Sequence, residues 1–496
     1  MASYQELAAV FEKYSHLGQL QAICGWDEAV MMPVGAGEAR CEALATMQAV
    51  RHELIAQDNV GELLELVQND MANLDDWQRA NVCWMQKRYI DATLLPAHLV
   101  SALTKASITC EQAWRTCRPA NDWHGFLPFL ENVVALVRES AQIRSEHWGL
   151  STYDMLLDDS VPGFNQATIS PLFNELENQL PLLLSDVMSY QKSFDVKPLK
   201  GSFDIPLQKQ LGLDVMKLLG FDFNHGRLDI ALHPFCGGTP RDVRITTRYD
   251  STNFLSALMG VCHETGHGRY EFGLPERWLS QPVGEALGMA MHESQSLLVE
   301  MEICRSQAFM QLIEPLVKQY FGEHESLSAN NLWHQATQVS PGLIRVDADE
   351  VSYPLHVILR YKIEQQLFDG QLAVSDLPEM WDAAMQQYMG LSTKGNMSDG
   401  VMQDVHWPSG AFGYFPAYTL GRVIAAQVYD AMLQDVPQRE ELILAGELAP
   451  IFSWLKEHIY SKASSLPCDQ LLYQATGSSL SVSHFMEHLK ARYLGK

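Results

Sequence analysis

The chain has 496 residues, 47% of them hydrophobic and 19% charged, the composition of a globular protein with material for a large core. Its formal charge of −25 argues against nucleic acid or an anionic membrane as partner, and no apolar run reaches the length of a membrane span. Nine cysteines, odd in number and without a Cys-x-x-Cys pair, read as the reduced thiols of a cytoplasmic protein.

Taken in chain order, most of the sequence reads as helix. Residues 1–20 carry Glu6, Glu12 and Lys13 inside an apolar pattern, which suits a helix and not a secretory leader. Apolar residues at i, i+3 and i+4 predict helices over 4–16, 37–56, 76–89, 98–114 and 171–190. Ser3 is the expected N-cap of the first, and Pro181 is expected to kink or split the last. No low-complexity linker, charge block or internal repeat divides the chain. The expectation is one continuous helical body over 1–496, bilobed where it is divided at all.

One region breaks the helical pattern. RLDIALHPFCGGTPRDVRITTRYD, residues 227–250, holds two β-like runs around Gly237, Gly238 and Pro240. Its spacing predicts a hairpin with strands over 228–232 and 243–249.

A helix is predicted next, over about 253–270, capped by Ser251 or Thr252. It contains HETGH, residues 263–267. Residues four apart lie one above the other on a helix, so His263 and His267 point the same way. Two imidazoles so placed can each give a nitrogen to one Zn²⁺, at roughly 2.0–2.1 Å. Glu264 then reaches a water at the ion as general base. The plainer alternative is two core histidines satisfied by hydrogen bonds.

A zinc site needs a third protein ligand. Tyr270 and Gly273 stand where an extended three-histidine pattern would need glycine and histidine. Glu271 lies on the correct face but about 12 Å along the helix from His263, too far to share an ion. The next predicted helix, about 284–313, carries Glu285, His292, Glu293 and Glu300. Glu293 is flanked by Met289, Met291 and Leu297, where a carboxylate is costly unless a cation or hydrogen bonds hold it. Glu293 is therefore the expected ligand. His292 lies about 100° round the same helix and is not expected to face the ion as well.

Beyond the zinc motif, the sequence resembles the thermostable carboxypeptidase family, the carboxypeptidase Taq family, from WDEAVMMP at 26–33 to the C-terminal region. HPF stands at His233 to Phe235, and Asp-x-Arg-x-Thr at Asp242 to Thr246. HESQS follows HETGH at His292 to Ser296, and Ile-Arg-x-x-Ala-Asp stands at Ile344 to Asp349. GVMQDVHW at Gly400 to Trp407 leads into GYFPAY at Gly413 to Tyr418. One departure follows HESQS, where the family often has arginine and Trp-Glu-Asn; this chain has Leu297, Val299, Glu300 and Met301 and retains only the glutamate.

The resemblance implies a mostly α fold similar to neurolysin and angiotensin-converting enzyme, with a deep central cleft and a small sheet near the active site. It implies a zinc metallocarboxypeptidase of broad specificity for short peptides, usually a homodimer. One divalent ion per chain, Zn²⁺ with Co²⁺ as an alternative, is held by His263, His267 and Glu293, with Glu264 catalytic. DVHWPSGAFGYF is similar to the segment that related peptidases use to stabilise the oxyanion, placing His406 and Tyr414 there, with Tyr418 in reserve. Arg345 is the candidate for the substrate's terminal carboxylate, which an arginine fork pairs bidentately, and Arg244 is the second candidate. The alternative for Arg345 is an ion pair with Asp347 or Asp349, and for Tyr414 a core aromatic. His356, on an apolar helical face, reads as structural. The competing functions are an oligoendopeptidase or dipeptidyl carboxypeptidase using the same site, and a non-catalytic metal-binding protein.

Overall fold

The computed structural model describes residues 2–496, and helices dominate it. The predicted helices form as Ala2–Val30, Gly37–Ile55, Asp76–Thr93, Ala97–Cys117 and Gln166–Gln191. Ser3 is not the first cap: the helix already includes Ala2, so Ser3 sits in its first turn. Pro181 does not split its helix. Leu176, Leu180, Leu183, Leu184 and Val187, on both sides of the proline, are buried on one stripe, and their packing carries the helix across the missing N–H.

The hairpin expectation needs correction. Strands β1 (Gly226–Ile230), β2 (Cys236–Thr239) and β3 (Asp242–Thr247) form one sheet in the order β1-β3-β2. β1 and β3 are neighbours but parallel, with Leu228 opposite Ile245. The hairpin joins β2 to β3, with Gly237 opposite Arg244. Cys-Gly-Gly-Thr has little β propensity and reads as a turn, yet it is the strand. Gly238 takes φ +90°, and a Cβ there would collide with the Asp242 carbonyl, so the glycine lets β2 close against the turn.

The main apolar core runs from Ala106 to Tyr493 through most helices. A second cluster joins the N-terminal helices through Leu7, Phe11, Val60, Leu64 and Met85. A third lies beneath the sheet, where Leu228, Val243 and Ile245 meet Met216, Phe221 and Val261. Val261 belongs to the helix that carries HETGH, so this small core seats the sheet directly on that helix.

The histidine helix is Phe254–Gly273, and its cap is Asn253, whose side chain accepts from the Ser256 N–H; Ser251 and Thr252 lie outside it. The single long helix expected over 284–313 is also corrected. Gly288–Leu297 is α-helical, Leu298–Cys304 is π-helical, and a new helix, Gln307–Phe321, starts after its cap Ser306. A π-helical segment re-aims side chains relative to the α-helix before it and is frequent at functional sites. Here it re-aims Glu300.

Candidate metal centre

Two helices bring the predicted ligands together because glycine lets them approach. A Cβ on Gly266 would lie 2.6 Å from Ser296 Cα and 2.7 Å from Gln295 O, backbone that cannot step aside. On the other side of the glutamate helix, a Cβ on Gly421 would lie 2.9 Å from Glu293 Cβ. Gly266→Ala should therefore force the ligand helices apart, costing about 1–3 kcal/mol in urea unfolding. The same variant should bind metal more weakly in a titration; unchanged affinity would mean that the two helices do not need this closeness.

His263 Nε2 lies 3.7 Å and His267 Nε2 3.3 Å from Glu293 Oε2. One ligand atom from each of the three residues lies within 4.8 Å of the others, a group that could hold a metal ion. Three atoms each about 2.0–2.1 Å from a tetrahedral ion stand roughly 3.3–3.4 Å apart, so the donor set fits Zn²⁺ with little movement.

The hydrogen bonds behind the ligands fix their tautomers. His263 Nδ1 is 3.0 Å from Glu300 Oε2, so Nδ1–H donates to the carboxylate and leaves the Nε2 lone pair for an ion. Glu300 is held in turn by Arg305 Nε and Nη2, at 3.1 and 2.7 Å from its Oε1. His267 Nδ1 lies 2.6 Å from His292 Nδ1, and His292 Nε2 lies 2.8 Å from Glu271 Oε1. With Nε2 of His292 donating to Glu271, its Nδ1 accepts from His267 Nδ1–H, and again Nε2 of His267 is free. His292 and Glu271, set aside as ligands, are thus the props of one.

Electrostatics agree with a cation site. Burial disfavours a charged His263, but Glu293, Glu300 and Glu264 outweigh it and raise its pKa to about 10. Burial holds His267 down to about 4. Without an ion, a proton on His263 answers the surrounding carboxylates; binding a divalent cation would displace it. Glu264 is buried, its pKa pushed up to about 7 chiefly by desolvation, and its Oε2 has no hydrogen-bond partner. That orphaned oxygen suits a group that must meet a water or substrate.

Beside the ligands lies a cavity of about 390 Å³ whose lining includes His263, Glu293, Arg345, Tyr353 and Tyr418. Arg345 does not pair with Asp347 or Asp349. Its Nε and Nη2 donate to Asp404 Oδ1 at 3.2 and 2.8 Å, and its Nη1 donates to Tyr353 OH at 2.6 Å. Those bonds use three of the five guanidinium N–H groups, leaving two for a ligand. Arg422, also in the lining, donates to Glu302 at 2.8 Å and to Glu350, so its charge is paired within the protein.

Arg244, the second anchor candidate, is not among the cavity-lining residues. Asp242 closes its fork at 2.6 and 2.8 Å, and it stacks 4.6 Å from the Trp26 ring centre, so it serves the sheet. His406 Nε2 is 3.4 Å from Tyr418 OH, and its ring centre is 5.5 Å from that of Tyr414. Burial, then Arg345, hold His406 near pKa 4, so it is neutral at pH 7 with one N–H to donate. Tyr414 and Tyr418 have their phenols pushed up by burial, and both feel Glu293. His356 is fully buried within its helix.

Sequence reasoning missed Asp404, Tyr353 and Glu300 as partners. Asp404 was legible only as the acid two residues before His406; nothing local pairs it with Arg345, 59 residues away.

Against known proteins, the model of the carboxypeptidase Taq (M32) metallopeptidase family matches residues 6–493. The chain is 34% identical to thermostable carboxypeptidase 1 of Thermus thermophilus, over 99% of this chain and 98% of that one. Among solved structures it is similar to Trypanosoma cruzi metallocarboxypeptidase 1, with 40% identity, a TM-score of 0.98 and 99% of each chain covered. The M32 carboxypeptidase of Deinococcus radiodurans superimposes with a TM-score of 0.94 at 31% identity, again over 99% of each chain.

Proposed function

Because the chain belongs to the carboxypeptidase Taq (M32) metallopeptidase family and is a metallocarboxypeptidase, we propose that it removes single C-terminal residues from short peptides at the centre built by His263, His267 and Glu293. The observation that carries this reading is that ligand atoms of His263, His267 and Glu293 lie within 4.8 Å of one another, and that two of these residues, His263 and Glu293, line the same cavity as the partly free Arg345 fork. The donor set of two imidazole nitrogens and one carboxylate suits Zn²⁺, with Co²⁺ as an alternative. When bound, such an ion supplies Lewis acidity, favouring ionisation of a water and polarising a carbonyl.

The chain's own groups do the rest. Glu264 takes a proton from the attacking water and returns it to the leaving amine, a task for which its unpartnered Oε2 is open. His406 and Tyr414 donate hydrogen bonds where charge develops on the scissile carbonyl oxygen, with Tyr418 the alternative donor. Arg345, braced by Asp404 and Tyr353, presents its two remaining N–H groups to the terminal carboxylate. That anchor sets the register, so the bond cut is the last one.

Arg345→Ala should raise KM and lower kcat/KM by about 10²-fold on a dipeptide with a blocked N-terminus, the worth of a lost charge-assisted pair. A C-terminally amidated peptide should resist the native enzyme. Following an unblocked peptide by mass tests the register: successive single-residue losses support the proposal, and internal cuts or released dipeptides would assign an oligoendopeptidase or a dipeptidyl carboxypeptidase instead.

We also read the whole chain as one catalytic domain that works as a cytoplasmic homodimer on peptides. Nine unpaired thiols are consistent with that location.

A further inference from the structure

Glu364 stands in the helix Tyr353–Phe368 and is fully buried. Among the described residues it makes no ion pair. Its carboxylate instead collects three neutral donors: Trp407 Nε1 at 2.7 Å on Oε1, and Tyr153 OH at 2.8 Å and the Gly413 N–H at 2.9 Å on Oε2. Burying a carboxylate without a cation is costly, and an apolar side chain would serve packing alone better. Two of its three donors flank residues assigned to the reaction: Trp407 follows His406, and Gly413 precedes Tyr414.

The rest of that segment is held just as closely. The Ala411 N–H closes onto the His406 carbonyl at 2.8 Å, and Trp407 stacks on Phe412. Gly413 takes φ +74°, and a Cβ there would collide with the Leu156 carbonyl, so the backbone is pressed against the helix that carries Tyr153. On the other flank, Asp404 ties the segment to Arg345 and Arg360. His406 and Tyr414 thus project from a loop pinned at both ends, and one carboxylate holds both pins on the Glu364 side.

We propose that Glu364 is a positioning residue for the peptidase reaction, fixing Trp407 and Gly413 so that His406 and Tyr414 meet the reacting carbonyl in register. This rests on the reading of His406 and Tyr414 given above. A loop loosened by a fraction of an ångström weakens donors that act in the transition state, while a substrate carboxylate anchored by Arg345 still binds.

The test uses full-length, metal-loaded enzyme. In Glu364→Gln the amide NH₂ must face at least one of the three donors, so the clamp loses a bond without losing volume. Its kcat should fall about 10–100-fold while KM for an N-blocked dipeptide stays within about twofold and metal content is unchanged. Should Glu364→Gln fail to fold, Trp407→Phe removes a single donor and should lower kcat in the same direction by less. Tyr388→Phe, which deletes the partly buried hydrogen bond to Glu177 outside this loop, supplies a control for loss of Tm. The proposal is overturned if kcat is retained, if KM rises instead, or if the loss is no greater than that of Tyr388→Phe. His406→Ala and Tyr414→Phe run in parallel separate the two readings. Unchanged kcat in both removes those residues from the reaction and the positioning role with them. Reduced kcat there, with native kcat in Glu364→Gln, overturns the positioning role alone.

Discussion

Glu264→Gln should abolish peptide hydrolysis while leaving the metal in place. Glu264 is one residue round the helix from His263 and is not part of the His263, His267, Glu293 donor group, so metal analysis should give the native stoichiometry. Glutamine keeps the shape and fills the same buried space but cannot take a proton, and loss of a general base costs about 10²–10⁴-fold in rate. The substitution should also stabilise the metal-free protein. Burial lifts the Glu264 pKa from its usual 4.5 to about 7, so the folded state holds a proton that the unfolded state releases. The Glu264 contribution to native stability therefore falls as pH rises from 4.5 to 7, and the advantage of the glutamine variant should grow across that window and then level off. Thermal unfolding of metal-free protein across that range reads the sign. Native-like turnover in the variant would remove Glu264 as the base.

Much of this centre could be read from one dimension. A repeat of four places His263 above His267, and burial among Met289, Met291 and Leu297 made Glu293 the carboxylate in need of a cation. The helices were legible for the same reason, since their apolar periodicity is local. What escaped notice depends on distant contacts or on backbone geometry that propensity does not encode. Cys-Gly-Gly-Thr is a strand only because β3 pairs with it, and β1 joins β3 in parallel with that segment intervening in sequence. The π-helical run at Leu298–Cys304 has no composition of its own, yet it presents Glu300 to His263. Arg345 was legible as a candidate anchor, but its partner, Asp404, comes from a segment 59 residues on and also grips Arg360. His292, expected not to face an ion, bonds to His267 and Glu271, and that consequence went unread: a histidine about 100° off the ligand direction is well placed to hold its neighbour on the facing helix.

That geometry predicts a graded loss of metal. His267→Ala removes a ligand nitrogen, and two remaining ligands on different helices should not retain the ion through dialysis, so activity should fall to background and not return with added Zn²⁺ at ordinary concentrations. His292→Ala leaves all three ligand atoms in place but deprives His267 Nδ1–H of its acceptor at 2.6 Å. Removing such an outer partner typically weakens metal binding about 10–100-fold, so this variant should lose metal to a chelator sooner and regain full activity in excess Zn²⁺. Glu271→Gln, one step further along the same chain, should do less, because His292 can still donate Nε2–H to the glutamine carbonyl. Competition titration against a chromogenic chelator orders the three. If His292→Ala bound metal as tightly as the native protein, the His267 ring would be oriented by the packing of the two helices alone, and the Glu271–His292–His267 chain would be no more than a buried polar contact.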